Sequence, residues 1–174
     1  MATQQISILG ANTIPDTGGL CYPYPYSQWA SNDVWPVIVY AFGAFANNAQ
    51  PSTRIGLYGA FTVPQNYVTS AVVIPIWCAT LTSGDVVWDL DYRTVGGDDT
   101  TSLDQSGTEE SVSVTDTSGS AANERLTPSL NPTDANFAAG ETVEFGLFRD
   151  GTDAADTMAG TAFLFDLIFQ YSDV

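Results

Sequence analysis

The chain has no lysine and no histidine, and its four arginines (Arg54, Arg93, Arg125, Arg149) stand against twenty acidic residues, for a formal charge of −16 over 174 residues. A nucleic-acid binder needs cations to displace counterions from phosphates, and four scattered arginines on an acidic chain do not make that footprint. Without histidine the usual general base at neutral pH and the commonest metal ligand are missing. Without lysine there is no Schiff-base chemistry and no P-loop cation. No serine lies in a G-x-S-x-G turn, and neither Cys21 nor Cys78 has a basic neighbour to activate it. A conventional enzyme built on this chain would have to run on carboxylates alone, so the expectation is a non-enzymatic protein with no cofactor.

Long apolar runs are also lacking. None approaches the roughly 20 residues of a membrane span, so no membrane partner is expected. The start, Met1-Ala2-Thr3-Gln4-Gln5-Ile6-Ser7, has neither the basic nor the apolar part of a signal peptide. Synthesis in a cytoplasm is expected, and with it free thiols in preference to a disulfide; Cys78, inside an apolar run, reads as buried.

What is present is hydrophobic and strand-like. Hydrophobic residues make up 44% of the chain and aromatics 12%, enough for a core and against disorder. In Asp85–Val95, Trp88, Leu90 and Tyr92 alternate with Asp89, Asp91 and Arg93, the period of a strand with one wet face. It follows Val72–Leu81 after a short polar turn, which predicts a hairpin. Pro75, unable to donate, must lie at an edge or a bulge. A second hairpin is predicted from Thr142–Arg149, with Val143, Phe145 and Leu147 inward, and Thr161–Tyr171 after an acidic loop. On that last strand Phe163, Phe165, Leu167, Phe169 and Tyr171 share one face, and the other face is apolar too. Weaker strands are predicted at Val34–Phe45, Arg54–Val63 and Glu110–Asp116, and near Ile6–Leu9 and Glu124–Leu130. One helical turn is predicted after Asn131, with Pro132 at its first position and Asp134 at its third. The sum is an all-β antiparallel sandwich of about eight strands, a jelly roll, spanning 34–174 and preceded by an extended segment over 1–33.

Three groups of side chains carry possible chemistry. Asp89 and Asp91 share a strand face at roughly 7 Å, in the range of glycosidase carboxylate pairs; the plainer alternative is a solvated face with Arg93 as ion partner. Asp150, Asp153 and Asp156 offer oxygen ligands in a loop, but not at EF-hand spacing, and Asp98, Asp99 and Asp104 are no more specific. No metal site is expected from either. Proline alternates with aromatics in Cys21-Tyr22-Pro23-Tyr24-Pro25-Tyr26-Ser27-Gln28-Trp29, which predicts an extended segment. Tyr22, Tyr24, Tyr26, Trp29 and Trp35 are candidates for partner contact, for stacking on sugar faces, or for plugging one end of the core.

The phrases Gly59-Ala60-Phe61-Thr62-Val63-Pro64, Ser83 through Arg93, Gly96-Gly97-Asp98-Asp99 and Arg149 through Thr157 resemble those of tailed-phage jelly-roll virion proteins, including the capsid decoration, or cement, proteins. The resemblance covers roughly 55–171. It implies a homotrimer that docks on a major capsid protein at the capsid surface of a virion and stabilises it, with no active site. A carbohydrate-recognising or receptor-binding virion module is the alternative it leaves open.

Overall fold

The computed structural model describes residues 1–10, 13–16, 21–26, 37–43, 51–96 and 110–173, with the backbone alone at 25 and 26. The strands are β1 (Thr3–Ser7), β2 (Ile14–Pro15), β3 (Cys21–Tyr26), β4 (Val37–Phe42), β5 (Arg54–Thr62), β6 (Thr69–Ala79), β7 (Asp85–Val95), β8 (Glu110–Thr117), β9 (Thr142–Asp150) and β10 (Ala162–Ser172). They form two five-stranded antiparallel sheets. In one, β10 pairs with β6 on one side and with β1 and β4 on the other, and β3 pairs with β4. The other runs β2-β5-β9-β7-β8. The all-β, jelly-roll sandwich read from the sequence is the fold.

Both predicted hairpins are wrong. β6 and β7 lie in opposite sheets, as do β9 and β10. Each short connection carries the chain across the sandwich, so the two strands face each other through the core. Trp77 of β6 meets Trp88 of β7 edge to face, ring centroids 5.7 Å apart. Both indoles are fully buried. Gly84, at φ +94°, makes the first crossing, where a Cβ would stand 2.6 Å from the Met158 backbone. A connection between two strands that each bury a face fits a crossover as well as a hairpin, because the buried faces can meet across the core of a sandwich.

The last strand departs from simple alternation. A bulge between Leu164 and Asp166 puts one extra residue in β10 opposite β6, and this reverses the facing of the residues beyond it. Ala162 and Leu164, then Leu167, Phe169 and Tyr171, enter the main core. Phe163 and Phe165 turn to the outer face instead and pack with Val39, Ala41, Cys78, Tyr22 and Tyr24. The single apolar face predicted for Phe163 through Tyr171 is therefore split between two clusters.

Pro75 is at an edge, as expected. Among the described residues, β6 is flanked on its far side from β10 only by isolated bridges from Val73 to Leu130 and Trp77 to Leu126. The nitrogen of buried Pro75 faces away from β10 between these two bridges, so its missing N–H costs no ladder bond with β10. The strand predicted near Glu124–Leu130 does not form as such; its residues Leu126 and Leu130 make these two isolated bridges.

From the first 33 residues, β1, β2 and β3 are extended and each hydrogen-bonds into a sheet. A division between 33 and 34 lies outside the described residues. Both cysteines are buried thiols, and burial, with Asp16 nearby, pushes the Cys21 thiol up to about 12.

The helical turn forms two residues later than predicted, as a 3-10 turn at Asp134–Asn136 without a side-chain cap. The Asp134 carboxylate is committed elsewhere. It accepts hydrogen bonds from the hydroxyls of Tyr67 and Thr69 and from the Ala71 N–H. Ser70, at φ +66° in the opening bulge of β6, also donates its N–H to it. Partial burial acts against ionisation, but these donors outweigh it and hold the carboxyl at about 2. An acid group depressed in the folded state stabilises the fold above its unfolded value and loses that effect as pH falls through the folded one. Asp134→Asn is expected to lower stability by about 1 kcal/mol at pH 7 after allowance for solvent screening. The difference from the native chain should shrink between about pH 4 and pH 2. Urea titrations at pH 7 and pH 2.5 check this; an equal difference at both would contradict it.

Candidate functional site

The outer face of the β2-β5-β9-β7-β8 sheet carries three of the four ion pairs among the described residues. Strand register sets its rows. Gly56, Phe148, Asp89 and Ser113 lie abreast across β5, β9, β7 and β8, and Tyr58, Gly146, Asp91 and Ser111 form the next row. Ala60, Glu144 and Arg93 make up a third. In each row the alternate residues of the same strands, among them Leu57, Leu90, Phe145 and Leu147, point into the core.

Two glycines shape this face. A Cβ at Gly56 would stand 2.4 Å from the Phe148 ring, and one at Gly146 2.5 Å from it. The ring therefore lies down over two bare backbones and does not stand off the sheet. The Arg54 guanidinium covers it, 3.9 Å from the ring centroid, a cation–π contact. Tyr58 meets the ring edge on at 5.4 Å and remains 48% exposed.

Arg54 spans both aspartates of β7, donating from Nε to Asp89 Oδ2 at 3.2 Å and from Nη1 to Asp91 Oδ2 at 2.7 Å. Burial raises the Asp89 carboxyl above the usual range; Arg54 opposes this, while Asp150 and Asp91 add to it. Arg93, expected to pair with these aspartates, pairs with Glu144: Nη2 donates at 2.5 Å and Nε at 3.2 Å to the same oxygen. Arg54 displaces it because the guanidinium reaches across β9 above the flattened Phe148 ring. The Arg93 side chain is 7% exposed, and its buried Nη1 has no hydrogen-bond partner among the described residues. An unmet donor of a buried cation is costly unless something else accepts from it.

These side chains line two depressions. One, of about 370 Å³, is bordered by Tyr58, Arg93, Glu144, Phe148, Asp16 and Arg54 among others. The second, of about 400 Å³, lies between Arg54, Asp89, Asp91, Asp150, Ser111 and Ser113. Arg54 and Asp91 border both.

Of the residues predicted for partner contact, Tyr22 and Tyr24 lie on the opposite sheet. They pack edge to face at 6.5 Å, and Tyr24 meets Phe163 at 5.7 Å. Tyr26 belongs to β3, but its side chain lies outside the described residues, as do Trp29 and Trp35. The loop carboxylates do not converge. Asp156 is fully buried and takes two bonds from Arg149, at 2.7 and 2.8 Å. Asp150 accepts from Thr152, and Asp153 from the Ala155 N–H. Asp98, Asp99 and Asp104 lie outside the described residues.

The aromatic part of the outer face went unnoticed in the sequence. Its signal is a pair of strands, Arg54–Thr62 and Thr142–Asp150, whose wet-face positions hold glycine beside an aromatic (Gly56 with Tyr58, Gly146 with Phe148) in place of the small polar residues usual there.

No protein-family model and no curated protein matches this chain. Among solved structures it is similar to TmCBM61, solved with β-1,4-galactotriose, at 12% identity and a TM-score of 0.41 over 92% of this chain and 87% of that one. It is similar to TmCBM27, a carbohydrate-binding module described for mannan recognition, at 8% identity and 0.43 over 99% of each chain. It is also similar to part of an arabinose-bound α-L-arabinofuranosidase, MgGH51, at 13% identity and 0.49, where 92% of this chain spans 23% of that one.

Proposed function

We propose that this protein is a non-enzymatic carbohydrate-recognising module whose binding face is the outer surface of the β2-β5-β9-β7-β8 sheet. The observation that carries the reading is Tyr58, a half-exposed ring beside the Arg54–Asp91 and Arg93–Glu144 pairs. Sugar rings present an apolar C–H face and an equatorial rim of hydroxyls. An aromatic ring takes the first, and fixed ion-paired side chains, with donors and acceptors already oriented, take the second. Because each charge on the face is held by a neighbour, little side-chain freedom is lost when a ligand arrives.

The test is retention by polysaccharides. Native protein should be retarded in gels cast with at least one of β-glucan, xylan, mannan or galactan. Tyr58→Ala should weaken that binding about thirtyfold while leaving the far-ultraviolet spectrum unchanged. Unretarded native protein, or a Tyr58 variant that binds as well, would count against the reading.

A second reading, a homotrimeric capsid decoration protein of a virion, draws on the other sheet. Val37 and Ile38, 42% and 68% exposed, continue the aromatic run of β3 along its partner strand, an apolar edge suited to a subunit or shell contact. Light scattering separates the two: a trimer dissociated by Ile38→Asp supports the second, and a monomer removes it.

A further inference from the structure

The two depressions on the outer face share a wall. Arg54 and Asp91 border both, and the first is otherwise built around Tyr58 and Arg93, the second around Ser111 and Ser113. Moving from Tyr58 on β5 to Ser111 on β8 crosses three strand-to-strand steps, about 14 Å at the usual spacing. That is too long for one sugar ring and suits a short chain. Tyr58 and Ser111 share one register row with Gly146 and Asp91 between them. The row therefore runs from an aromatic platform, over a bare glycine, past a carboxylate that can accept, to an exposed hydroxyl.

Charge narrows the ligand. The two depressions together hold two arginines against five carboxylates. Arg54 is already bridged to Asp89 and Asp91, and Arg93 to Glu144. An anionic sugar would meet a negative field with no free cation to answer it. A neutral hydroxyl or ring oxygen would not, and the Ser111 and Ser113 hydroxyls and the Asp91 carboxylate give it donors and acceptors on the open face.

We propose that the two depressions form one path for a neutral oligosaccharide, which lies across the strands from Tyr58 to Ser111 and is held along its length by Tyr58, Asp91 and the β8 serines. The proposal rests on the carbohydrate-recognising reading and adds to it the length, direction and charge class of the ligand.

The experiment is calorimetric titration of the full chain with size ladders, from monosaccharide to hexasaccharide, of cello-, xylo-, manno- and galacto-oligosaccharides, with polygalacturonate and heparin as anionic probes. In one neutral series affinity should rise about tenfold or more from the monosaccharide to the trisaccharide and then level off. Ser111→Ile keeps a strand-compatible residue at the far end. It should lower trisaccharide affinity about three- to tenfold and leave binding of the shortest ligands unchanged. A monosaccharide that binds as tightly as the trisaccharide, tighter binding of the anionic probes, or an unaffected Ser111 variant would overturn the path while leaving a Tyr58-dependent sugar site standing. Failure of the native chain to bind any member of either set would overturn both.

Discussion

Asp156→Ala should lower the stability of the fold by about 3–5 kcal/mol, the cost of leaving a buried charge without its partner. Arg149 and Asp156 are both completely shielded from solvent. The guanidinium also donates to the carbonyl oxygens of Phe42, Gly160 and Met158, and the carboxylate accepts from the Val87 N–H at 3.2 Å. This one pair thus joins the end of β9, the crossing loop, β4 and β7. Replacing both partners together, as Arg149→Met with Asp156→Val, removes the unpaired charge but takes the guanidinium donors from the three carbonyls and the carboxylate from the Val87 N–H. The double variant should recover only part of the loss. Urea unfolding of the three chains checks this; a single variant within about 1 kcal/mol of the native chain would contradict it.

The second large effect belongs to the binding face. Gly56→Val should cost about 3 kcal/mol, because the new Cβ would lie 2.3 Å from the Leu147 carbonyl oxygen as well as against Phe148. Backbone cannot yield as a side chain can, so β5 and β9 must part or the Phe148 ring must lift. A lifted ring dislodges Arg54 and with it the bridge to Asp89 and Asp91, so binding should fall with stability. Gly10, which has nothing within 4 Å of its Cβ position, is the control: Gly10→Ala should change neither. Equal behaviour of the two variants would contradict the role given to Gly56.

Much of the fold was legible because strands with one wet face write their period into the sequence. Trp88, Leu90 and Tyr92 are inward as read, and Asp89 and Asp91 outward. Pairing was not legible. The turn at Ser83-Gly84 looks the same whether the chain folds back in its own sheet or crosses to the other, and only burial of Trp77 against Trp88 decides. The Phe165 bulge was hidden because every residue from Ala162 to Phe165 is apolar, so reversing the faces leaves no trace in the pattern. The site was half legible. The aspartates stood out as charges on a strand, but their partner Arg54 lies two strands away, and the glycines that let it reach them appear in the sequence as mere absences. Aromatic density drew attention to Tyr22 and Tyr24, which pack on the opposite sheet.

The most direct measurement of the central claim is a nitrogen-15 chemical-shift titration of the full chain, arginine side-chain signals included, with a trisaccharide from the neutral series that binds. Shifts are expected at Tyr58, Gly146, Asp91 and Ser111 and at the Arg54 guanidinium, which borders both depressions, with β3 and β4 unchanged. Shifts confined to Tyr22, Tyr24, Val37 and Ile38, or no neutral glycan that moves any signal, would contradict it.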